Sequence, residues 1–116
     1  MRKDLKPLVH FDDFLKLDIR VGVIIEAAVF EKARKPAYRL KVHFGEMIGV
    51  KNSSAQICGH YRPEDLIGKQ VLGVVNFPVK QIGNFFSEVL ILGTYSEGGV
   101  ILITPDLPAK PGDVLG

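Results

Sequence analysis

Lysine and arginine crowd one short stretch of this chain. EKARKPAYRLK, 31–41, holds Lys32, Arg34, Lys35, Arg39 and Lys41, five of the fifteen basic residues, against one acid, Glu31. Charges held this close repel one another, so the cluster favours an anionic partner such as RNA phosphate. A solvated basic face is the bland alternative. Two further stretches carry polar and stacking groups. VKNSSAQ, 50–56, offers Asn52, Ser53 and Ser54. Their short side chains either contact phosphate or peptide backbone, or cap the N–H groups of their own turn. NFPVKQIGNFFSE, 76–88, offers Lys80 and Ser87 as polar contacts and Phe85 and Phe86 as apolar ones. An aromatic ring stacks on a base with about 1–3 kcal/mol, or takes an apolar side chain. Adjacent residues of an extended chain point to opposite faces. One of the two phenylalanines therefore enters the core, and the other is exposed or buried in a dimer groove. Glu88 is placed to brace the stretch by accepting N–H bonds.

Catalytic patterns are missing. The chain has no C-x-x-C, no H-x-x-x-H and no G-x-S-x-G, and His10, His43 and His60 are scattered. The single cysteine, Cys58, excludes an intrachain disulfide and reads as a small buried hydrophobe. Gly98-Gly99 joins two apolar runs, so it reads as a hairpin turn and not as a phosphate loop. The expectation is a protein with no catalytic residue, no metal and no cofactor. MRKDLKPLVHFDDF lacks the apolar segment of a signal peptide, and no apolar run approaches the ~20 residues of a membrane span. Together with the lone cysteine, this points to a cytoplasmic protein without membrane insertion, in which the N-x-S at 52–54 is a chance match.

The elements that must position these groups are mostly strands. Residues 1–10 read as an arm and FDDFLKLD, 11–18, as a short helix capped by Asp12 or Asp13. IRVGVIIEAAVF, 19–30, is β-branched and reads as a long strand bent at Gly22. YRLKVHF, 38–44, alternates, with Leu40, Val42 and Phe44 inward and Arg39, Lys41 and His43 outward. The next segment, 45–57, reads as a turn, a short strand and a polar loop. RPEDLIG, 62–68, has Pro63 at a helix start and Gly68 at its exit. KQVLGVVNF (69–77), EVLILGTYS (88–96) and VILITP (100–105) read as strands, with 76–88 as the loop between the first two. Five or six glycine-kinked strands with short helices fit an all-β, five-stranded Greek-key OB-fold barrel, 11–116, with a β-sandwich as the alternative. The terminal helix and the apolar tail around Val114 and Leu115 read as dimerising surfaces.

Several blocks in order resemble the EMAP-II-type tRNA-binding domain family. They are LDIRVGVI (17–24), EKARKPAYRLKVHFG (31–45), NSSAQI (52–57), YRPEDLIGKQVLGVVNF (61–77) and KQIGNFFSEVLILG (80–93). Within the family the chain looks closest to the CsaA-like branch of export-related chaperones. The resemblance implies an OB-fold, a homodimer and no catalysis. It implies tRNA as a partner, with Lys32, Arg34, Lys35, Arg39, Lys41, Lys80 and Ser87 as the nucleic-acid contacts. In the CsaA-like branch it implies unfolded or presecretory polypeptide, and with it the export machinery. The peptide contacts are then Asn52, Ser53, Ser54, Phe85, Phe86 and Leu90. The broader family carries Ser-Glu-Gly-Met where this chain has Ser87-Glu88-Val89-Leu90, a departure that leans toward the chaperone branch. Asp18 and Arg20 also resemble family positions, where an ion pair is the expected role.

Overall fold

A computed structural model describes residues 4–116. The first three residues of the expected arm lie outside the described residues, and 4–9 form neither helix nor strand. Helix α1, Phe11–Leu15, is shorter than 11–18. His10 occupies its N-cap, and Asp13 acts from the third helical position, its carboxylate accepting the His10 N–H at 3.0 Å. The helix stops early because Asn76 takes over the following backbone. Its side-chain oxygen accepts the Asp18 N–H and its amide donates to the Lys16 carbonyl, at 2.9 and 2.8 Å.

One antiparallel sheet forms the barrel. Its strands are β1 (Ile19–Val29), β2 (Tyr38–His43), β3 (Val50–Ala55), β4 (Gln70–Val74) and β7 (Leu90–Ile91), in the order β3-β2-β1-β4-β7. Helix α2, Pro63–Leu66, sits between β3 and β4, with Pro63 at its start and Leu66 fully buried. The sheet curls into a nearly closed five-stranded barrel, the OB-fold, and not a sandwich. Two hairpins lie beside it: β5 (Lys80–Ile82) with β6 (Phe85–Ser87), and β8 (Gly93–Ser96) with β9 (Gly99–Leu102).

Three expectations need correction. The polar loop expected at the end of 45–57 is strand instead, since Val50–Ala55 form β3, paired along its whole length with β2. Its polar composition hides an alternation in which Ser53 and Ala55 turn inward while Asn52 and Ser54 are half-buried. The stretch 76–88 is a hairpin, turning at Gly83 with φ +60°. The strand expected over 88–96 is two strands. β7 pairs with β4 and β8 with β9, and Leu92 marks the handover by donating to Leu72 and accepting from Ile103.

The core gathers Ile24, Leu40, Val42, Phe44, Leu66 and Val71, all at or near zero exposure. Phe44 sets the barrel's width. Its ring fills the space a Cβ would need at both Gly22 and Gly73, coming within 2.8 and 2.9 Å of those positions. Two neighbouring strands, β1 and β4, thus give up a side chain to admit one ring. The tail closes the remaining edge of β1. Gly112 and Leu115 donate to the Val21 and Ile19 carbonyls, and Val21 donates to Asp113. Arg20 locks this strap, pairing with Asp18 at 2.6 Å and donating to the Gly112 carbonyl at 3.0 Å.

Substituting Gly22→Ala should therefore crowd both the Val42 side chain and the ring of Phe44 and lower stability by about 1–3 kcal/mol. Urea denaturation measures this. A loss under about 0.5 kcal/mol, the range of an ordinary surface substitution, would show that the ring re-seats freely.

Candidate ligand-binding cleft

The outer face of β2 presents Arg39 and Lys41, and register places them opposite Ser54 and Asn52 of β3. On the other side they face Ala28 and Glu26 of β1. That alignment depends on a bulge between Ile24 and Glu26. The extra residue lets Ile24 point into the core while Glu26 and Ala28 join the outer face. Ala28 is small and leaves room beside Arg39.

The β5–β6 hairpin forms a wall over this face. Phe85 is its inward residue, and its ring meets the buried Phe30 edge-to-face at 5.1 Å. Phe86 turns the other way and is half exposed. The question of which phenylalanine faces out is thereby answered. The Arg39 guanidinium lies 5.8 Å from the Phe30 ring centre, a cation–π arrangement. Between hairpin and sheet lies a cleft of about 390 Å³ lined by Val29, Phe30, Glu31, Lys32, Arg39, Ile82, Asn84 and Phe85. A smaller cleft of about 180 Å³ continues along β2, and Arg39 and Phe85 line both.

The wall is fastened by a chain of hydrogen bonds to β3. Glu88 donates its N–H to the Asn52 carbonyl at 2.8 Å, and its carboxylate accepts the Asn52 N–H at 3.0 Å. Ser87 Oγ accepts the Ser54 N–H at 3.0 Å, and Ser53 Oγ donates to the Val89 carbonyl at 2.9 Å. Lys51 stands 3.7 Å from the Glu88 carboxylate.

The proposed contact residues thus divide by place. Arg39, Lys32 and Phe85 line the main cleft, and Lys41 and Asn52 line its continuation. Lys41 is partly occupied by Glu26 at 3.8 Å. Lys80 lies opposite Ser87, on the hairpin face that also carries Ile82 and Phe85. Arg34 and Lys35 are exposed on the β1–β2 turn. Among the described residues, none of Lys32, Arg34, Lys35, Arg39 and Lys80 forms an ion pair. Ser53 is fully buried and Ser54 and Ser87 are tied to each other, so these serines hold the wall. Phe86 and Leu90 are exposed but line neither cleft. Sequence reasoning missed Phe30, Ile82 and Asn84. The Gly83-Asn84 pair between two short alternating runs was the available signal, since such pairs make tight hairpins.

Away from the cleft, Cys58 packs half-buried against the core near Tyr38. Burial raises its thiol pKa, and a hydrogen bond with Tyr38 offsets part of that rise. The group is a poor thiolate source. No described group of His, Cys, Asp and Glu could hold a metal ion, and no described helix is long and apolar enough to cross a membrane.

Residues 19–114 match the family described as "Putative tRNA binding domain". The chain belongs to this tRNA-binding domain family. A methionine–tRNA ligase of Parabacteroides distasonis is 35% identical to this tRNA-binding domain over 111 residues, 95% of the chain. That match spans only 16% of the ligase, so the chain corresponds to a small part of such enzymes. Among solved structures, the CsaA chaperone protein from Picrophilus torridus is 52% identical, with a TM-score of 0.89 over 94% of this chain and 100% of that one. The chaperone CsaA from Bacillus anthracis is 47% identical, with a TM-score of 0.88 over 95% and 100%. A methionyl-tRNA-synthetase-related protein from Pyrococcus horikoshii shares the fold at 26% identity and a TM-score of 0.82, over 96% and 100%. The family is one of binding modules, and this domain resembles its CsaA members along their whole length.

Two measurements check the site's construction. Glu88→Ala leaves the Asn52 N–H without its acceptor and should cost about 1–3 kcal/mol, while Glu88→Gln keeps an oxygen there and should recover most of it. Equal losses in the two variants would deny the carboxylate its bracing role. Alkylation of Cys58 by iodoacetamide should follow a pH profile whose midpoint lies above that of the unfolded chain, because the raised pKa suppresses thiolate in the fold.

Proposed function

We propose that this tRNA-binding-type domain works as a homodimeric, non-enzymatic chaperone of the cytoplasm that holds extended, unfolded or presecretory polypeptide in the cleft beneath the β5–β6 hairpin. One observation carries the reading. The cleft sets apolar groups from Phe30, Val29, Ile82 and Phe85 beside the charged and polar groups of Lys32, Arg39, Glu31 and Asn84. That combination suits a side chain and its adjoining backbone. The whole-length likeness to proteins named CsaA chaperones supports it. Dimerisation is supported by exposed apolar residues on the two segments that adjoin the start of β1. Phe11 and Leu15 come from α1, while Val114 and Leu115 come from the tail that pairs with β1. Export machinery would receive the held chain.

A second reading, tRNA binding, is favoured by a different observation. Lys32, Arg34 and Lys35 stand exposed on one turn, beside the cleft's aromatic ring at Phe85, with no carboxylate paired to them among the described residues. Phosphates would meet the turn, and a base would meet the ring.

Salt separates the two readings. Binding of tRNA should weaken steeply with salt, with a logarithmic slope of roughly −0.7 to −0.9 per phosphate neutralised. Binding of unfolded polypeptide should depend on salt far less. The triple variant Lys32→Ala, Arg34→Ala, Lys35→Ala should lower the tRNA slope by about 2–3 and leave polypeptide binding in place. A flat salt response for tRNA removes the RNA reading, and absence of saturable binding by unfolded chains removes the chaperone reading. Light scattering of the purified protein, alone and with Leu15→Glu, tests the dimer.

A further inference from the structure

Arg39 occupies a singular position. Among the described residues it is the one charged residue that lines both clefts, and Phe85 accompanies it in each. Its guanidinium rests over the Phe30 ring, and no carboxylate pairs with it among the described residues. Two acids are near. Glu26 lines the smaller cleft but is engaged by Lys41, and Glu31 lines the larger cleft without reaching an ion pair there. The ring face attracts the cation without using its N–H donors, so the guanidinium keeps its fork of donors for a carboxylate. Around it lie Val29, Ile82 and Phe85, which offer apolar area and no competing charge. Lys32 in the cleft lining, and Lys80 on the hairpin face that carries Ile82 and Phe85, add to the positive field.

We propose that the cleft selects its polypeptide by chemistry: a segment that places an acidic side chain beside a bulky aromatic one, with basic segments disfavoured. The proposal rests on the polypeptide reading above and deepens it. The carboxylate meets the Arg39 fork, and the neighbouring aromatic side chain packs against Phe85 and Ile82. A cationic segment would bring like charge to Arg39 and Lys32 and lose affinity. The selected stretches therefore lie away from cationic segments of a client chain, in acidic and aromatic parts.

Three peptides with blocked ends test this. Each is N-acetylated and C-amidated, which removes the terminal charges. Gly-Ser flanks surround a Phe-Glu-Phe, Phe-Gln-Phe or Phe-Lys-Phe core, and binding is read by fluorescence anisotropy at low salt. The glutamate peptide should bind about tenfold or more tighter than the glutamine peptide, as expected for a hydrogen bond to a charged group, and the lysine peptide should bind weakest. Arg39→Met keeps a long apolar stem on an exposed strand position. It should retain glutamine-peptide binding and reduce the glutamate preference to less than about threefold. Phe85→Ala should weaken all three. Equal binding of the glutamate and glutamine peptides to the native chain overturns the proposal, as does tightest binding of the lysine peptide or an undiminished preference in Arg39→Met. If unfolded chains bind but the peptides do not, the cleft's selectivity falls while the chaperone reading stands. If neither binds, and Arg39→Met instead weakens tRNA, the chaperone reading falls too and the cleft is an RNA site.

Discussion

The structure depends on how a five-stranded barrel closes when its last strand is only two residues long. β3 and β7 end the sheet, and β7 is too short to pair along β3. Closure falls to the three residues before it. Ser87 and Glu88 present side-chain oxygens to the N–H groups of Ser54 and Asn52, standing in for the carbonyls of a missing strand. Ser53 completes the seam from inside, with its hydroxyl on the Val89 carbonyl. Buried backbone groups left without partners each cost about 1–3 kcal/mol, so a seam built from side chains must satisfy all of them. None of the buried side-chain polar atoms in the described residues lacks a partner.

The cleft follows from that seam. β6 ends at Ser87, so anchoring Ser87 and Glu88 on β3 fixes the hairpin directly before them. Phe85, two residues from the anchor, is thereby held against Phe30. Phe30 ends the long apolar run of β1 and supports Arg39. The β-bulge after Ile24 contributes the other half, since it brings Glu26 and Ala28 onto the outer face beside β2. The candidate binding face is thus assembled from a closure device, a bulge and a hairpin, all on a barrel whose width Phe44 sets against two glycines.

These parts differed in how visible they are in sequence. The alternation in YRLKVHF reports burial directly, because Leu40, Val42 and Phe44 need no distant partner to be recognised as inward. The opposed faces of Phe85 and Phe86 follow from strand geometry alone. β3 was opaque for a physical reason. Its residues are small and polar, and they are held as a strand by pairing with β2 on one edge and by side-chain hydrogen bonds to residues 33–36 positions away on the other. Composition cannot encode such a partner. The split of 88–96 was hidden likewise. An apolar run of that length suits one strand, and only the pairing of Leu90 with Val74 and of Gly93 with Leu102 divides it.

The placement of Ser87, Glu88 and Val89 also changes what their family motif means. As sequence, Ser-Glu followed by Val-Leu looks like a set of ligand contacts with an altered ending. In the fold, the serine and glutamate are spent on the seam, and Val89 is buried in the core. Leu90 faces out on β7 but lines no part of the cleft. The departure at Val89 and Leu90 therefore concerns barrel closure and an exterior edge more than ligand contact. Choice between RNA and polypeptide must be made elsewhere, by groups that are unpaired and face the cleft. Arg39 and Lys32 supply charge there, and Phe85 supplies the apolar surface. A nucleotide and an acidic-aromatic peptide would compete for the same arginine and the same ring. On this barrel the two proposed functions would draw on one cleft, since both would use the Phe85 ring, with phosphate on the 32–35 turn in one case and carboxylate at Arg39 in the other.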